Sequence, residues 1–275
     1  NKLRFVNNVP RIIKWGVAGC GHFTETSFIP AVQVLKRSRL VSVFSHDMQR
    51  AKYFSEKYAI KNAFNDFDEF LKSNFDVLYV CSANIFHFEQ VIKAAKAGKH
   101  ILCKKPLALT SAQAKEMVET CKANNVFLTL SYNNRYHPLV IKTKELIQME
   151  LIGKLISINM DFNIDFPPGE NFRFKKELSG GGALRDLGTH LIDLMRYFGG
   201  EADEIIGYTD NVIYHSDVED FAAGIIKFDK SGYGKFSVSY NSKKAFNRVE
   251  IIGYKGTIAL ENLFGRPKAP TRLII

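Results

Sequence analysis

The sequence has no Cys-x-x-Cys pair. Its four cysteines, Cys20, Cys81, Cys103 and Cys121, stand far apart, each in or beside an apolar run. That spacing argues against a disulfide framework and predicts buried, reduced thiols in a cytoplasmic protein. No apolar stretch approaches the roughly 18 to 20 residues that cross a bilayer. The first fifteen residues, interrupted by Pro10 and several charges, lack the apolar centre of a signal peptide, so a soluble protein without membrane attachment is expected. Dense basic runs are missing as well. Lys and Arg number 38 against 28 Asp and Glu, a net charge of +10, but the lysines are scattered and nucleic acid is not an expected partner. Internal repeats and low-complexity linkers are also absent.

The chain does have enough apolar residues for a substantial core. At 275 residues, 46% hydrophobic and 24% charged, it is neither disordered nor fibrous in composition. The length suits one large domain or two ordinary ones, since a single core rarely grows much beyond about 250 residues.

From Arg11 to about Leu130, short apolar runs alternate with amphipathic segments. The runs are Ile12–Ala18, Leu40–Phe44, Val77–Cys81, Ile101–Cys103 and Val126–Leu130; the segments are Phe28–Arg37, Gln49–Tyr58, Glu89–Ala97 and Ser111–Asn124. Strands too apolar to face water, alternating with helices, predict an α/β domain with a doubly wound parallel sheet covered on both faces. After Tyr132 the pattern changes. A helix over about Pro138–Glu150 precedes a segment in which Ile156, Ile158, Met160, Phe162, Ile164 and Phe166 alternate with polar residues, the mark of a half-buried strand. A helix over Ala183–Phe198 follows, then strands at Glu204–Tyr214, Phe221–Phe228, Lys235–Tyr240 and Arg248–Gly253. Strands joined by turns predict an α+β domain whose mostly antiparallel sheet packs one face on helices. The domains are placed at residues 1–132 and 133–275.

The first strand runs into Gly16-Val17-Ala18-Gly19-Cys20-Gly21-His22-Phe23-Thr24. This is the opening of a G-x-G-x-x-G/A turn: Gly19 permits the bend, and Gly21 lets backbone approach a pyrophosphate at the start of the next helix, with His22 and Phe23 alongside. Its place after a strand and before a helix supports NAD(P) binding. Thr24 fills the third position, where Gly or Ala is usual, so helix and strand are expected slightly further apart. The second strand ends in Ser45-His46-Asp47 instead of the acid that accepts both ribose hydroxyls of NAD. Ser45 and His46, with Arg50 one helical turn on, favour the 2′-phosphate of NADP(H) over NAD(H), although Asp47 is close enough in sequence to reach back to a ribose.

Three further segments carry candidate chemistry. Cys81-Ser82-Ala83-Asn84-Ile85-Phe86-His87 ends a parallel strand at the edge where ligands bind. Lys104-Lys105-Pro106 ends another. Gly180-Gly181-Gly182 precedes a helix in which Asp186, His190 and Asp193 recur at spacings of four and three, forming one stripe at about 100° per residue beside an apolar one. As a metal-ligand set this stripe is too unspecific, and no metal is predicted.

These motifs, in this order, resemble the Gfo/Idh/MocA family of oxidoreductases. The resemblance runs from about Ile12 to Leu260 through the glycine turn, Asn84-x-x-His87, Ala97-Gly98-Lys99-His100-Ile101-Leu102-Cys103, Lys105-Pro106-Leu107, Arg135-Tyr136-His137-Pro138 and Gly180 through Asp193. It implies a Rossmann domain followed by a domain of helices and an open, mostly antiparallel sheet. It also implies a dehydrogenase or reductase moving a hydride between nicotinamide and a sugar-like or polyol alcohol or ketone. The family's Glu-Lys-Pro lysine maps onto Lys105 and its Asp-x-x-x-His pair onto Asp186 and His190. Either Lys105 or His190 exchanges the proton at the reacting oxygen, the other supporting it, with Asp186 orienting them. The expected cofactor contacts are Gly19, Gly21, His22, Phe23, Ser45, His46, Arg50, Ser82, Asn84, His87 and Lys105. The expected substrate contacts are Arg135, Tyr136, Asn163, Arg173, Asp186 and His190; the two arginines leave a carboxylate or phosphate substrate open.

The chain departs from the family at Lys104, where an acid normally precedes the catalytic lysine. A second ammonium beside Lys105 would lower its pKa if both face the site, although neighbouring strand residues ordinarily point to opposite faces. Two other members of the resemblance remain open: a cofactor-binding regulator without turnover, and a glycosidase using NAD transiently. Homodimers or homotetramers through the C-terminal sheet are expected. The second domain is short for the family, which raises the expectation of a missing C-terminal piece.

Overall fold

Short runs of Val, Ile, Leu and Phe alternating with helices build the first half of the chain. The computed structural model describes residues 11–245, 247–264 and 269–275, and the chain divides into two compact units after Ser131. The first carries strands β1 (Ile13–Ala18), β2 (Ser38–Phe44), β3 (Asn62–Phe64), β4 (Val77–Val80), β5 (His100–Lys104) and β6 (Leu128–Ser131). All pair in parallel, in the order β3-β2-β1-β4-β5-β6. Helices α1 (Ile29–Val34), α2 (Met48–Lys57), α3 (Phe67–Lys72), α4 (His87–Lys96) and α5 (Ser111–Ala123) link them. Asp47, Asp66 and Thr110 accept backbone N–H groups at the starts of α2, α3 and α5, which ends each preceding loop. One face of the sheet buries Val17, Val43 and Tyr79 against Ile29, Val32 and Phe54. The other buries Leu78, Val80 and Ile101 against Phe70, Val91 and Met117. The covered faces explain why these strands read as continuous apolar runs. Strand β3, three residues long, is too short to show a period and was not predicted.

The second unit is built on a seven-stranded sheet. It contains α6 (Pro138–Gln148), β7 (Leu155–Asn163), α7 (Lys176–Ser179), α8 (Thr189–Gly199), β8 (Ala202–Asp210), β9 (Phe221–Phe228), β10 (Tyr233–Ser239), β11 (Arg248–Gly253), β12 (Thr257–Glu261) and β13 (Arg272–Ile274). The order is β13-β12-β11-β7-β10-β9-β8, antiparallel except where β7 runs parallel to β10. Ile158, Met160 and Phe162 of β7 enter a core with Leu191, Leu194, Met195 and Phe198 of α8 and Val140 of α6.

Two strand boundaries differ from expectation, each for a local reason. The alternation predicted to Phe166 ends as strand at Asn163, where the Asn247 side chain accepts the Asn163 N–H and donates to its C=O at 2.7 and 3.0 Å. The strand predicted to Tyr214 ends at Asp210. The buried Asp220 carboxylate takes the N–H groups of Val212, Ile213 and Tyr214 at 2.7 to 2.9 Å, and these three donors are then unavailable to a ladder.

Candidate functional site

Gly19 adopts φ +106°, and a Cβ there would lie 2.5 Å from the Cys81 carbonyl and 2.6 Å from the Ser82 nitrogen. Only glycine permits both the left-handed backbone and this approach of β1 to the loop after β4. At Gly21 a Cβ would meet nothing within 4 Å. The turn is therefore closed against its own sheet at one glycine and open at the other. Thr24 is fully buried, and its hydroxyl donates to the Gly19 carbonyl at 2.6 Å. The chain then makes a π-helical turn over Thr24–Phe28 with no side-chain cap before entering α1. The wider turn accommodates the larger third residue, and its N-terminus fits an anionic pyrophosphate placed against Gly21.

At the tip of β2 the imidazole of His46 packs edge-on to Phe44 at 5.0 Å and against Phe86 at 4.7 Å. Asp47 turns to the backbone of the next helix. Its Oδ1 accepts the N–H groups of Gln49 and Arg50 at 2.8 and 3.3 Å and caps α2. The Cys20 thiol is pushed up to about 12 by burial, opposed by the positive charge of Arg50.

His87 is the first residue of α4. Predicted at the cofactor, it is fully buried, with Nδ1 at 2.8 Å from the Pro106 carbonyl and Nε2 at 3.3 Å from the Ser82 carbonyl. Burial lowers its pKa below 6.5 despite those carbonyls, so the ring is neutral and the shorter contact assigns its proton to Nδ1. It ties the loop after β4 to the loop after β5. Asn84 opens the single 3-10 turn Asn84–Phe86 on the same loop, and the Ser82 hydroxyl donates to Gln90 Oε1 at 2.7 Å. Lys105 precedes Pro106 through a cis peptide and is itself only 7% exposed. Lys104 takes a different course: its Nζ lies 3.9 Å from the centroid of the Phe23 ring.

The second unit brings its polar candidates together around α8. A π-helical turn over Leu184–Gly188 carries Asp186, and α8 carries His190 and Asp193. The stripe expected at α-helical spacing is therefore interrupted by a wider turn at its first member. Asp186 Oδ2 accepts from Arg173 Nε at 3.1 Å and from the Tyr240 hydroxyl at 2.9 Å. Burial, then the Asp186 charge, raises the Tyr240 pKa, so Tyr240 stays a donor. His190, half-buried, meets the Tyr132 ring edge-on at 6.2 Å.

The triple glycine also has a structural role. A Cβ at Gly182 would lie 2.0 Å from the Glu219 carbonyl oxygen. The Glu219 carboxylate accepts the N–H groups of Gly182 and Leu184 at 2.9 and 3.1 Å, and its carbonyl accepts that of Ala183 at 3.0 Å. Glu219, Tyr240 and Tyr132 were not singled out from sequence. Glu219 lies 37 positions from Gly182 and Tyr240 54 from Asp186, so no local pattern exposes them.

Arg135, expected at the substrate, is held by Asp193 through Nε–Oδ2 and Nη2–Oδ1 contacts of 2.8 and 2.6 Å, with the carboxylate buried. Arg173 is paired with Asp186. Each cation is thus paired with a carboxylate of its own unit. Tyr136 is exposed, and Asn163 ends β7 half-buried.

Residues 13–132 match the oxidoreductase family described as having an NAD-binding Rossmann fold, and residues 140–259 match the GFO/IDH/MocA C-terminal domain. Trans-1,2-dihydrobenzene-1,2-diol dehydrogenase of Xenopus laevis is 28% identical over 259 residues, covering 92% of this chain and 77% of that one. The mouse (Mus musculus) enzyme of the same name is 27% identical, covering 96% and 78%. Among solved structures, levoglucosan dehydrogenase in complex with NADH and levoglucosan superposes with a TM-score of 0.83 at 26% identity, covering 91% of this chain and 73% of that one. With both family domains matched in order on a six-stranded Rossmann sheet and a mixed seven-stranded one, the chain belongs to the Gfo/Idh/MocA family of NAD-binding oxidoreductases.

Proposed function

We propose that the protein transfers a hydride between NADP(H), in preference to NAD(H), and the carbinol or carbonyl carbon of a sugar, polyol or keto-sugar. The observation that carries the reading is the glycine turn, closed at Gly19 and open at Gly21 at the head of an uncapped helix. The cofactor preference is supported by Asp47, whose carboxylate caps α2 and leaves Ser45, His46 and Arg50 at the β2 tip. The nicotinamide, when bound, supplies the hydride donor or acceptor at C4. Lys105 holds the reacting oxygen and stabilises negative charge developing on it. His190 is the second unit's candidate for proton exchange, a task suited to an imidazole near neutral pH, with Lys105 as the alternative. Asp186, fixed by Arg173 and Tyr240, orients the proton-exchanging group. With Arg135 and Arg173 already paired to carboxylates, a neutral hydroxyl-rich substrate fits better than an anionic one. The relatives' names, a diol dehydrogenase and a levoglucosan dehydrogenase, support the same substrate class.

We further propose that the protein is cytoplasmic and self-associates. Four free cysteines suit a reducing cytoplasm, and among the described residues no helix is long and apolar enough to cross a membrane. Ile206 faces Ile225 across β8 and β9, and with Tyr208 and Tyr233 it leaves an exposed apolar patch on the sheet through which copies of the chain pair. Light scattering reads the oligomer directly, and Ile225→Lys should convert it to monomer.

The deciding experiment is a panel of sugars, inositols and keto-sugars assayed by NADPH absorbance, with cofactor binding measured in parallel. Turnover with a neutral polyol or keto-sugar is expected. Equal rates with NADH and NADPH at equal concentration would overturn the cofactor preference. Binding without turnover on any compound would replace the enzyme by a cofactor-binding regulator.

A further inference from the structure

We infer that Lys104 makes the site discriminate between the redox states of its cofactor, holding the reduced form more tightly than the oxidised form. The inference rests on the cofactor binding proposed above. In a doubly wound sheet the dinucleotide lies across the C-terminal strand ends, its pyrophosphate at the turn after β1 and its adenosine ribose at the tip of β2. Strand β2 flanks β1 on one side and β4, then β5, on the other. The nicotinamide half therefore runs toward the tips of β4 and β5. Lys104 is the last residue of β5, and its Nζ lies 3.9 Å from the ring of Phe23, which belongs to the glycine turn itself. The ammonium is thus held, by attraction to the aromatic face, between the pyrophosphate turn and the strand tip, along the path the nicotinamide riboside must take.

Charge decides the consequence. The oxidised nicotinamide ring carries a positive charge and the reduced ring none, while the pyrophosphate is the same in both. Whatever Lys104 does to the phosphates cancels in the ratio of the two affinities; its repulsion of the oxidised ring does not. A unit charge near the ring in a partly solvated site changes that ratio by about tenfold. At equal concentrations of the two forms, the site fills with reduced cofactor.

Dissociation constants of NADPH, NADP+, NADH and NAD+ measured on the full chain, by nicotinamide fluorescence and by calorimetry, test this without reference to turnover. Lys104→Met keeps the aliphatic stem and removes the charge, Lys104→Glu reverses it and Lys104→Arg retains it; a thermal melt establishes that each is folded. The oxidised-to-reduced ratio of dissociation constants should fall about tenfold in the Met variant, further in the Glu variant, and stay near wild type in the Arg variant. If the Glu variant does not fold, the Met and Arg pair decides. A ratio unmoved by Lys104→Met while both forms still bind overturns the role of Lys104 and leaves cofactor binding intact. Failure of the wild-type chain to bind any of the four overturns both.

Discussion

The two units open their functional helices in the same way and finish them in opposite ways. Each places glycines before a π-helical turn, Gly19 and Gly21 before Thr24–Phe28, and Gly180 to Gly182 before Leu184–Gly188. In the first unit the backbone beside Gly21 faces open space and no side chain caps the turn. In the second, Glu219 of the same unit fills the equivalent place and takes the N–H groups of Gly182 and Leu184. The positive end of one helix is left for an external anion, while the other is neutralised from within. A glycine-rich turn before a helix therefore marks either a ligand site or an internal cap, and what approaches the glycine distinguishes them.

Alanine at each glycine is the strongest way to break this comparison. Gly182→Ala and Gly19→Ala place a methyl against backbone at 2.0 and 2.5 Å, the latter also at a left-handed φ, and each should destabilise its unit by about 3 kcal/mol or more. Gly21→Ala has nothing to collide with and should leave stability within about 0.5 kcal/mol while weakening NADPH binding at least about tenfold. Denaturant unfolding and cofactor titration on the three variants check this. A Gly21→Ala protein that binds cofactor normally would mean that the open turn is not the pyrophosphate site.

A second test concerns the two residues assigned to the chemistry, one in each unit. Lys105→Ala removes the buried ammonium next to Pro106, and His190→Ala removes the imidazole beside Tyr132. Once a substrate is in hand, each should lower turnover by at least about a hundredfold. Near-normal rates in either variant would remove that residue from the mechanism.

How much of this was legible beforehand depends on the distance over which each feature is encoded. The glycine turn, the alternation of Ile158, Met160 and Phe162, and the apolar runs of β1 and β4 are written in consecutive residues, and they led to the correct fold class. His87 lies in a recognisable Asn-x-x-His segment, but its ring contacts the carbonyl of Pro106, 19 positions away, a partner that the segment itself does not reveal. Arg135 stood out as a cation, and only the fold reveals that Asp193, 58 positions on, has neutralised it. The excess strand predicted to Tyr214 fails for the same reason, because one carboxylate at Asp220 diverts three donors that their own sequence would have paired in a sheet.

The cap on the second helix sharpens the comparison more gently. Glu219→Ala leaves the Gly182 and Leu184 donors without their carboxylate and should cost about 1 to 2 kcal/mol, measured as a lowered denaturation midpoint. Glu219→Asp, one methylene shorter, should recover little, since the reach to both N–H groups sets the contact. If Glu219→Ala were as stable as wild type, the internal cap would contribute nothing and the contrast with Gly21 would lose its energetic basis.

Acidification should separate the units with the smallest effect per increment. His87 has a folded pKa lowered from 6.5, mainly by burial, so between that folded value and 6.5 the unfolded first unit binds the extra proton. Its contribution is fully present above pH 6.5 and is lost as pH falls through the folded value, with a slope of at most about 1.4 kcal/mol per pH unit. In the second unit burial pushes Asp220 up, but the N–H groups of Tyr214, Val212 and Ile213 outweigh it and hold the carboxyl below 3.8. That stability is intact above pH 3.8 and declines only below it. Between about pH 6.5 and 4, the protection factors of the first unit, taken against the intrinsic exchange rate at each pH, should therefore fall while those of the Val212–Tyr214 amides of the second hold, and His87→Gln should flatten the first response without altering the second. Loss of protection at Val212–Tyr214 before the first unit responds would reverse the assignment of acid sensitivity to His87.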